Sequence, residues 1–174
     1  MCVCTVRGVT QGGSSIPEVQ RLLAALVASK GAGKIAEIGT AYGEGALAMV
    51  SALAPGATFL TVEPDAQRYA HACRVLDGTR AKIFNARWQD TLPQHGPFDL
   101  VFLDGGSPGD MVEAVGVLID LLAPGGILVK DDLTPGIAVD ADPLRAALLQ
   151  DPRLAAVELL ASGEMAVIIA TRHH

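Results

Sequence analysis

A glycine-containing loop between two apolar runs constrains the fold of this chain more than any other feature. The loop covers Glu37–Gly45 (EIGTAYGEG), follows a strand-like run and opens a helix-like one. Its glycines let the backbone turn sharply and approach a ligand closely. Glu63 lies 18 residues after Gly45, at the end of the next strand-like run, where a carboxylate can accept hydrogen bonds from two ribose hydroxyls. The pattern therefore predicts a βαβ unit that binds a nucleotide or a nucleoside.

Strand-like and helix-like runs alternate along the rest of the chain, which predicts an α/β fold. The strand-like runs are mostly continuous and apolar, as expected when helices cover both faces of a parallel sheet. The last two runs flank a short turn at 161–163, which predicts an antiparallel hairpin at one edge. We therefore expect a Rossmann-like, doubly wound, mostly parallel seven-stranded sheet with an antiparallel C-terminal hairpin strand. The predicted strands are 34–38, 58–63, 81–85, 99–104, 126–130, 155–160 and 164–170.

Helices are predicted over roughly 44–54, 65–77, 110–122 and 142–150, and one more precedes the first strand. Asp65 and Asp110 stand where N-caps are expected, and Ser15 and Glu18 have capping-box spacing before the first helix. Residues 1–13 are weakly patterned, so they are predicted to be a flexible N-terminal arm. Residues 14–174 show no internal repeat or linker, which predicts a single domain.

The composition argues against several classes of protein. The net charge is −6 and aromatic residues make up 4% of the chain, whereas proteins that bind nucleic acid usually carry a basic face or aromatic stacking surfaces. The sequence has no apolar run long enough for a membrane span and no signal-peptide pattern, so no membrane association is expected. The three cysteines are badly placed for a disulfide framework and predict free thiols in a reducing cytoplasm.

The spacing and charge of the loop favour one cofactor class over another. A dinucleotide fingerprint is G-x-G-x-x-G with a pyrophosphate at the helix N-terminus, but the loop has G-x-x-x-G-x-G spacing with Glu37 and Glu44 on either side of the turn. These carboxylates would repel a pyrophosphate. S-adenosylmethionine (SAM) has no phosphate and carries an ammonium, a carboxylate and a sulfonium. The loop therefore favours SAM.

Three carboxylates follow two of the predicted strands. Asp104 ends the fourth strand, and Asp131 and Asp132 end the fifth. If these strands are neighbours, the carboxylates would repel and raise one another's pKa, and a divalent cation such as magnesium or calcium would relieve the repulsion because it prefers oxygen ligands. In the alternative interpretation, one Asp caps the following loop and the others lie in water.

These residues resemble the class I SAM-dependent methyltransferases. More narrowly, the chain resembles the cation-dependent O-methyltransferases, the group of catechol and caffeoyl-coenzyme A O-methyltransferases, over about residues 14–172. The resemblance rests on the glycine loop, the acid of the second strand, the motifs of the fourth and fifth strands and a closing hairpin. These segments are 36–46, Glu63, 98–104, 122–132 and 151–164.

The resemblance implies a role for each matching residue. Glu37 is expected near the methionine ammonium, Glu63 at the ribose, and Arg87 and Trp88 beside the adenine, with a core aromatic as the alternative role of Trp88. Asp104 is expected both beside the cofactor and, with Asp131, in catalysis. The methionine part is expected to contact Gly39, Tyr42, Gly43 and Gly45. The family's metal ligands fall on Asp104, Asp131 and Asp132, although the third is usually Asn.

The chain departs from the family at three places. Gly45 stands where the family has a Ser that helps hold the methionine carboxylate, and Ser107 stands where it has a catalytic Lys. The metal alone could activate the acceptor hydroxyl, Lys130 or a His could substitute, or the chemistry could differ. Alternation along the strand is expected to point Lys130 away from Asp131. Residues 1–13 replace a longer segment that usually contributes to the substrate lid and to subunit contacts.

The expected function is methyl transfer from SAM to a small-molecule hydroxyl, assisted by a divalent cation, in a chain that could form a homodimer. One alternative is a SAM-binding protein without methyl-transfer activity, which the missing Lys favours. A second is an NAD-dependent oxidoreductase, against which the glycine spacing speaks. A third, a nucleic-acid methyltransferase, usually has an Asn/Asp-Pro-Pro-aromatic motif after the fourth strand, whereas this chain has Asp104-Gly-Gly-Ser there.

Overall fold

The computed structural model describes residues 15–106 and 108–174. The predicted arm at residues 1–13 and the predicted loop residue Ser107 lie outside the described residues. The strands are β1 Lys34–Ile38, β2 Thr58–Val62, β3 Ala81–Phe84, β4 Phe98–Leu103, β5 Leu122–Leu133, β6 Leu154–Leu160 and β7 Ala166–Arg172. The helices are α1 Pro17–Ser29, α2 Glu44–Ser51, α3 Ala66–Val75, α4 Trp88–Thr91, α5 Pro108–Asp120 and α6 Pro143–Leu149.

All seven strands lie in one sheet, in the order β3-β2-β1-β4-β5-β7-β6. Strands β1 to β5 run parallel to one another, whereas β7 is antiparallel to both β5 and β6. The predicted fold class is therefore confirmed, including the antiparallel hairpin. The described helices include none with the length and apolar character needed to cross a bilayer.

The sheet has an apolar core on each face because its central strands are buried on both sides. Leu100 and Phe102 of β4 pack with residues of α1 and α2, whereas Val101 and Leu103 pack with residues of α5 and α6. Successive side chains of a strand point to opposite faces, so a continuous apolar run supplies both cores. The run in β4 is the reason that this strand was predictable from sequence.

Local capping was predicted less well than the strands. Asp65 caps α3, since its carboxylate accepts hydrogen bonds from the N–H groups of Gln67 and Arg68. The capping box at Ser15 is wrong, because α1 begins at Pro17 after Ile16, which makes no side-chain cap. Asp110 is not an N-cap either, because α5 begins at Pro108 and Asp110 lies in its first turn. Helix α4 was missed because four residues are too few to show a helical period.

The loops that follow the parallel strands meet at one edge of the sheet. The N–H groups of Gly39 and Thr40 donate to the carbonyl of Val62, and the N–H of Asp104 donates to the carbonyl of Ile38. Hydrogen bonds thus continue beyond the strand ends and fix the first residues of each loop. In open α/β sheets this carboxyl edge is where ligands bind.

Arg145 holds the segment after β5 against the hairpin. Its fully buried guanidinium donates to Glu158 of β6 at 2.6 Å and to Asp142 at 3.1 Å. A further bond of 2.8 Å runs to the carbonyl of Thr134. A planar guanidinium with five N–H groups can bind several acceptors at once, so this one side chain joins α6, β6 and the loop after β5.

Replacing Arg145 by Met keeps much of the side-chain volume but removes the partner of Asp142 and Glu158. We expect the free energy of unfolding to fall by roughly 2 kcal/mol, less than for a fully buried pair, because both carboxylates keep some contact with water. Urea unfolding followed by circular dichroism measures the change. Arg153→Met is the matched control, because Arg153 pairs with Asp151 at the surface and its loss should matter much less. An equal loss in both variants would contradict the assigned role of Arg145.

Candidate functional site

A cleft of about 210 Å³ lies at the carboxyl edge of the sheet. The loops after β1, β2, β3 and β4 form its walls, together with the start of α5. Five of the nine predicted cofactor-binding residues line it, namely Gly39, Glu63, Arg87, Trp88 and Asp104. Other lining residues, among them Arg68 and Met111, were not singled out from the sequence.

Glu63 is held rigidly at the end of β2. Its buried carboxylate accepts a hydrogen bond from the N–H of Ala41 at Oε2 and from the N–H of Asp65 at Oε1, both at 2.9 Å. Ala41 has a φ of 47°, a conformation uncommon outside glycine, which its bond to Glu63 stabilises. A carboxylate has about four acceptor sites, so Glu63 can still accept hydrogen bonds from a ligand in the cleft.

Gly39 is required by a close approach of two loops. Its φ is 91°, and a Cβ at this position would lie 2.9 Å from the Cα of Gly105. Any larger residue would push the loop after β4 away from the loop after β1. Gly39 and Gly105 thus let the two loops meet below the cleft.

Trp88 both belongs to the core and lines the cleft. Its side chain packs among the apolar residues of α5 and β4, and it also forms part of the cleft wall. The two roles considered from the sequence therefore do not exclude one another. The buried Nε1–H of Trp88 has no hydrogen-bond partner among the described residues.

The other four predicted cofactor residues do not line the cleft. Tyr42 makes an edge-to-face contact with His71 of α3 at a centroid distance of 5.4 Å. Gly43, with a φ of 94°, lies against Val75 of α3. Gly45 lies in the first turn of α2, next to the buried Glu37 of β1. Contacts of these four residues with the methionine part stay predictions.

Glu37 is a buried carboxylate with one unpartnered oxygen. Its Oε2 accepts a hydrogen bond of 2.6 Å from Thr61, whereas Oε1 has no hydrogen-bond partner among the described residues. Burial raises the pKa of Glu37 to about 8, and the charges of Asp131 and Glu63 add to the increase while the Thr61 bond opposes it. A Cβ on Gly45 would lie 3.0 Å from Oε1, so a side chain there would crowd Glu37.

Ser15 and Thr61 reach this buried region, and neither residue was predicted to lie there. The hydroxyl of Ser15, which had been interpreted as a helix cap, donates to Oδ2 of Asp131 at 3.4 Å. Thr61 lies opposite Glu37 in the pairing of β1 with β2. Thr61 is a polar residue among apolar neighbours in β2, and this pattern was the available signal that its hydroxyl has a buried partner.

The three predicted metal ligands lie together. Carboxylate oxygens of Asp104, Asp131 and Asp132 are within 4.8 Å of one another, and Asp131 is fully buried. Burial is the largest cause that raises the pKa of Asp104 to about 9 and that of Asp131 to about 6, and the neighbouring carboxylates add to both increases. Oδ1 of Asp131 accepts no hydrogen bond from the described residues. This set of oxygens fits a hard divalent cation.

Lys130 points toward Asp131, which corrects the expectation from alternation. Its Nζ lies 3.9 Å from Oδ1 of Asp131. The pairing of β5 with β7 is irregular between Lys130 and Leu133, and Asp132 has a φ of 57°. These irregularities begin after Lys130, which pairs regularly with Leu103 and Ile168, so the length of the lysine side chain brings its ammonium near Asp131.

A second pocket, of about 320 Å³, adjoins the cleft. Both cavities are lined by Asp104, Gly105, Gly106 and Met111. The second pocket extends along the end of β5 toward α6, where it is lined by Lys130, Asp132, Leu133, Thr134, Asp142 and Leu144. The carboxylate of Asp104 therefore stands between two cavities.

Solved structures with the same fold include two O-methyltransferases. The enzyme from Bacillus cereus, in complex with SAH, has a TM-score of 0.78 and is 20% identical over 93% of this chain and 84% of its own. TomG from Streptomyces achromogenes, involved in tomaymycin synthesis and in complex with SAM, has a TM-score of 0.75 and is 22% identical over 92% and 82%. At these identities the likeness shows the fold.

Sequence comparison identifies the family. A family described as "methyltransferase domain" matches residues 36–133, more than half of the chain. A predicted O-methyltransferase of Mycobacterium avium (strain 104) is 30% identical over 168 residues, which cover 91% of this chain and 69% of the relative. The chain therefore belongs to the methyltransferase domain family, and its resemblance to the class I SAM-dependent O-methyltransferases is confirmed.

Proposed function

We propose that this protein transfers a methyl group from SAM to the hydroxyl of a small molecule, with help from a divalent cation. The observation that carries the proposal is the position of Asp104. Its carboxylate lies in the wall between the cleft that contains Glu63 and the pocket that contains Asp132. A cofactor in the first cavity and an acceptor in the second would meet at this residue.

The residues of the cleft fit SAM. Glu63 offers acceptor sites for ribose hydroxyls, Trp88 offers an aromatic wall, and the glycine loop offers close backbone approach. Glu37 does not line the cleft, but its unpartnered Oε1 would suit a methionine ammonium that reached it, because a buried carboxylate gains most from a nearby positive charge. Bound SAM supplies a methyl group on a positively charged sulfur. The protein contributes mainly by holding that group in line with the acceptor oxygen.

The Asp104, Asp131 and Asp132 carboxylates fit a cation at the border of the two cavities. Asp132 is exposed and Asp131 is buried. Asp131 would therefore hold a bound ion from the protein interior, and the exposed side of the ion would stay open to the acceptor. A divalent cation supplies a positive charge that lowers the pKa of a coordinated hydroxyl. Magnesium is the ion we expect, because it prefers carboxylate oxygens and keeps positions for further ligands.

The rival functions make distinct predictions. SAM binding without turnover over a broad panel of hydroxyl compounds would favour a binding protein. Tight NAD binding without SAM binding would favour an oxidoreductase. The buried Glu37 beside the loop argues against a pyrophosphate there, and membership of the methyltransferase domain family argues against an oxidoreductase. A cytoplasmic location, a homodimer and the lack of a nucleic-acid or membrane partner stay predictions from the sequence.

Glu63→Gln should weaken SAM binding by tenfold or more. The substitution replaces a charged acceptor by an amide, and hydrogen bonds to charged groups contribute roughly 1.5–3 kcal/mol each. Isothermal titration calorimetry measures the dissociation constant, and circular dichroism checks the fold. Asp77→Asn, which removes an exposed carboxylate after α3, is the control and should bind like the wild type. Unchanged affinity in Glu63→Gln would contradict the ribose assignment.

SAM binding at pH 7 should release up to about one proton per cofactor. With a pKa of about 8, Glu37 is mainly protonated at pH 7, and an ammonium at Oε1 would favour its charged form. Calorimetry in phosphate and in Tris buffers, which differ in heat of ionisation, measures the release. Glu37→Gln should abolish it. Release that persists in this variant would assign the proton to another group.

Mn²⁺, as a probe for the cation, should bind more tightly as the pH rises from 6 to 9. The raised pKa of Asp104 means that this carboxyl must lose a proton before it can bind a metal. Asp131→Asn should weaken binding by tenfold or more, whereas the control Asp77→Asn should not. Electron paramagnetic resonance of free Mn²⁺ gives the affinities. Affinity that depends on neither pH nor Asp131 would rule out this site.

A further inference from the structure

Lys130 is the one cationic side chain among the residues that line the second pocket. The other charged groups there are the carboxylates of Asp104, Asp132 and Asp142. Asp142 is already engaged by Arg145 at 3.1 Å. Apolar side chains of Met111, Leu133 and Leu144 line the remainder. The pocket therefore offers an apolar surface, with a carboxylate pair and one ammonium at the end nearest the cleft.

The fold fixes the position of this ammonium. Lys130 lies in β5, paired with Leu103 of β4 on one side and with Ile168 of β7 on the other. Only 14% of its side chain is exposed, and its Nζ is 3.9 Å from Oδ1 of Asp131. Because little of the Lys130 side chain is exposed and its partner Asp131 is buried, the ammonium group has few alternative positions. Its charge thus stays beside the border between the pocket and the cleft.

Methyl transfer to a hydroxyl needs a positive charge at that border. The acceptor hydroxyl first loses its proton to solvent. The acceptor oxygen then gives an electron pair to the methyl carbon as the carbon–sulfur bond breaks toward sulfur. Before transfer this oxygen is negative, and the exposed carboxylate of Asp132 would repel it. Charges of opposite sign favour the ionised form of a neighbouring acid, so a fixed ammonium would lower the pKa of the acceptor hydroxyl.

We propose that the Lys130 ammonium stabilises the acceptor oxyanion in the second pocket. This inference rests on the proposed methyl transfer and assigns a residue that acts together with a bound cation. One ammonium lowers the pKa of a neighbouring acid by a few units at most. The acceptors that it serves are therefore those with an acidic hydroxyl, of the phenol or enol class, and not simple alcohols.

The probe for this proposal is 4-nitrocatechol, whose absorption changes when its hydroxyl ionises. Absorption titrations in EDTA, with the protein in excess, give the apparent pKa of the bound probe without any need for turnover. We expect the value to be lower on the wild type than in free solution. In Lys130→Met it should rise by about one unit, the equivalent of a tenfold change in the ionisation constant. Lys130→Arg, which keeps the charge, should remain near the wild type.

Two controls separate this proposal from the function on which it rests. Lys82→Met removes an exposed lysine from β3 and should leave the pKa of the bound probe unchanged. The dissociation constant for SAM should stay within twofold in Lys130→Met, which shows that the fold and the cofactor cleft are intact. Failure of the wild type to bind SAM would refute the methyl-transfer function, even if the probe behaved as expected.

Three results would overturn the assignment of Lys130. The first is an unchanged pKa of the bound probe in Lys130→Met. The second is an equal increase in Lys82→Met, which would reflect net charge alone. The third is no spectral change when the wild-type protein is in excess over the probe, which would show that the pocket does not take such acceptors.

Discussion

Buried acidic side chains at the carboxyl edge of the sheet are the constraint on which the rest of the site depends. Glu37 and Asp131 are fully removed from water, and each has an oxygen without a hydrogen-bond partner among the described residues. A buried carboxylate must be protonated or gain a positive neighbour. The site is therefore arranged to exchange protons for cationic ligands, which is what a sulfonium cofactor and a divalent cation both offer.

The surrounding structure keeps these carboxylates in place despite their repulsion. Hydrogen bonds beyond the strand ends fix the loops after β1 and β4, and Thr61 holds one oxygen of Glu37. Arg145 anchors the segment after β5 from the opposite side of the second pocket. Because these supports come from different elements, the positions of the acids depend on the whole sheet and not on one loop.

The proposed function assigns cofactor binding to the first cavity and acceptor binding to the second. Glu63 and Trp88 line the first, Lys130 and Asp132 line the second, and Asp104 belongs to both. Cofactor binding and acceptor ionisation thus use different residues of one continuous site. In the proposed arrangement Lys130 of β5 would supply a charge close to the acceptor, in a chain that has Ser107 where the cation-dependent O-methyltransferases that it resembles have a catalytic lysine.

The sequence by itself determined the strands, the glycine loop and the acids at the strand ends, because strand periodicity and backbone sterics act over a few residues. The cap at Asp65 was predictable for the same reason, whereas the predicted caps at Ser15 and Asp110 were wrong, since α1 and α5 each begin at a proline, a residue favoured at the first helical position. Only the tertiary structure decided which acids lose contact with water and what they contact. The bond from Ser15 to Asp131 spans 116 residues, and the position of the Lys130 ammonium beside Asp131 depends on the pairing of β5 with β4 and β7. Such contacts follow from strand order and register, which no local pattern of residues encodes.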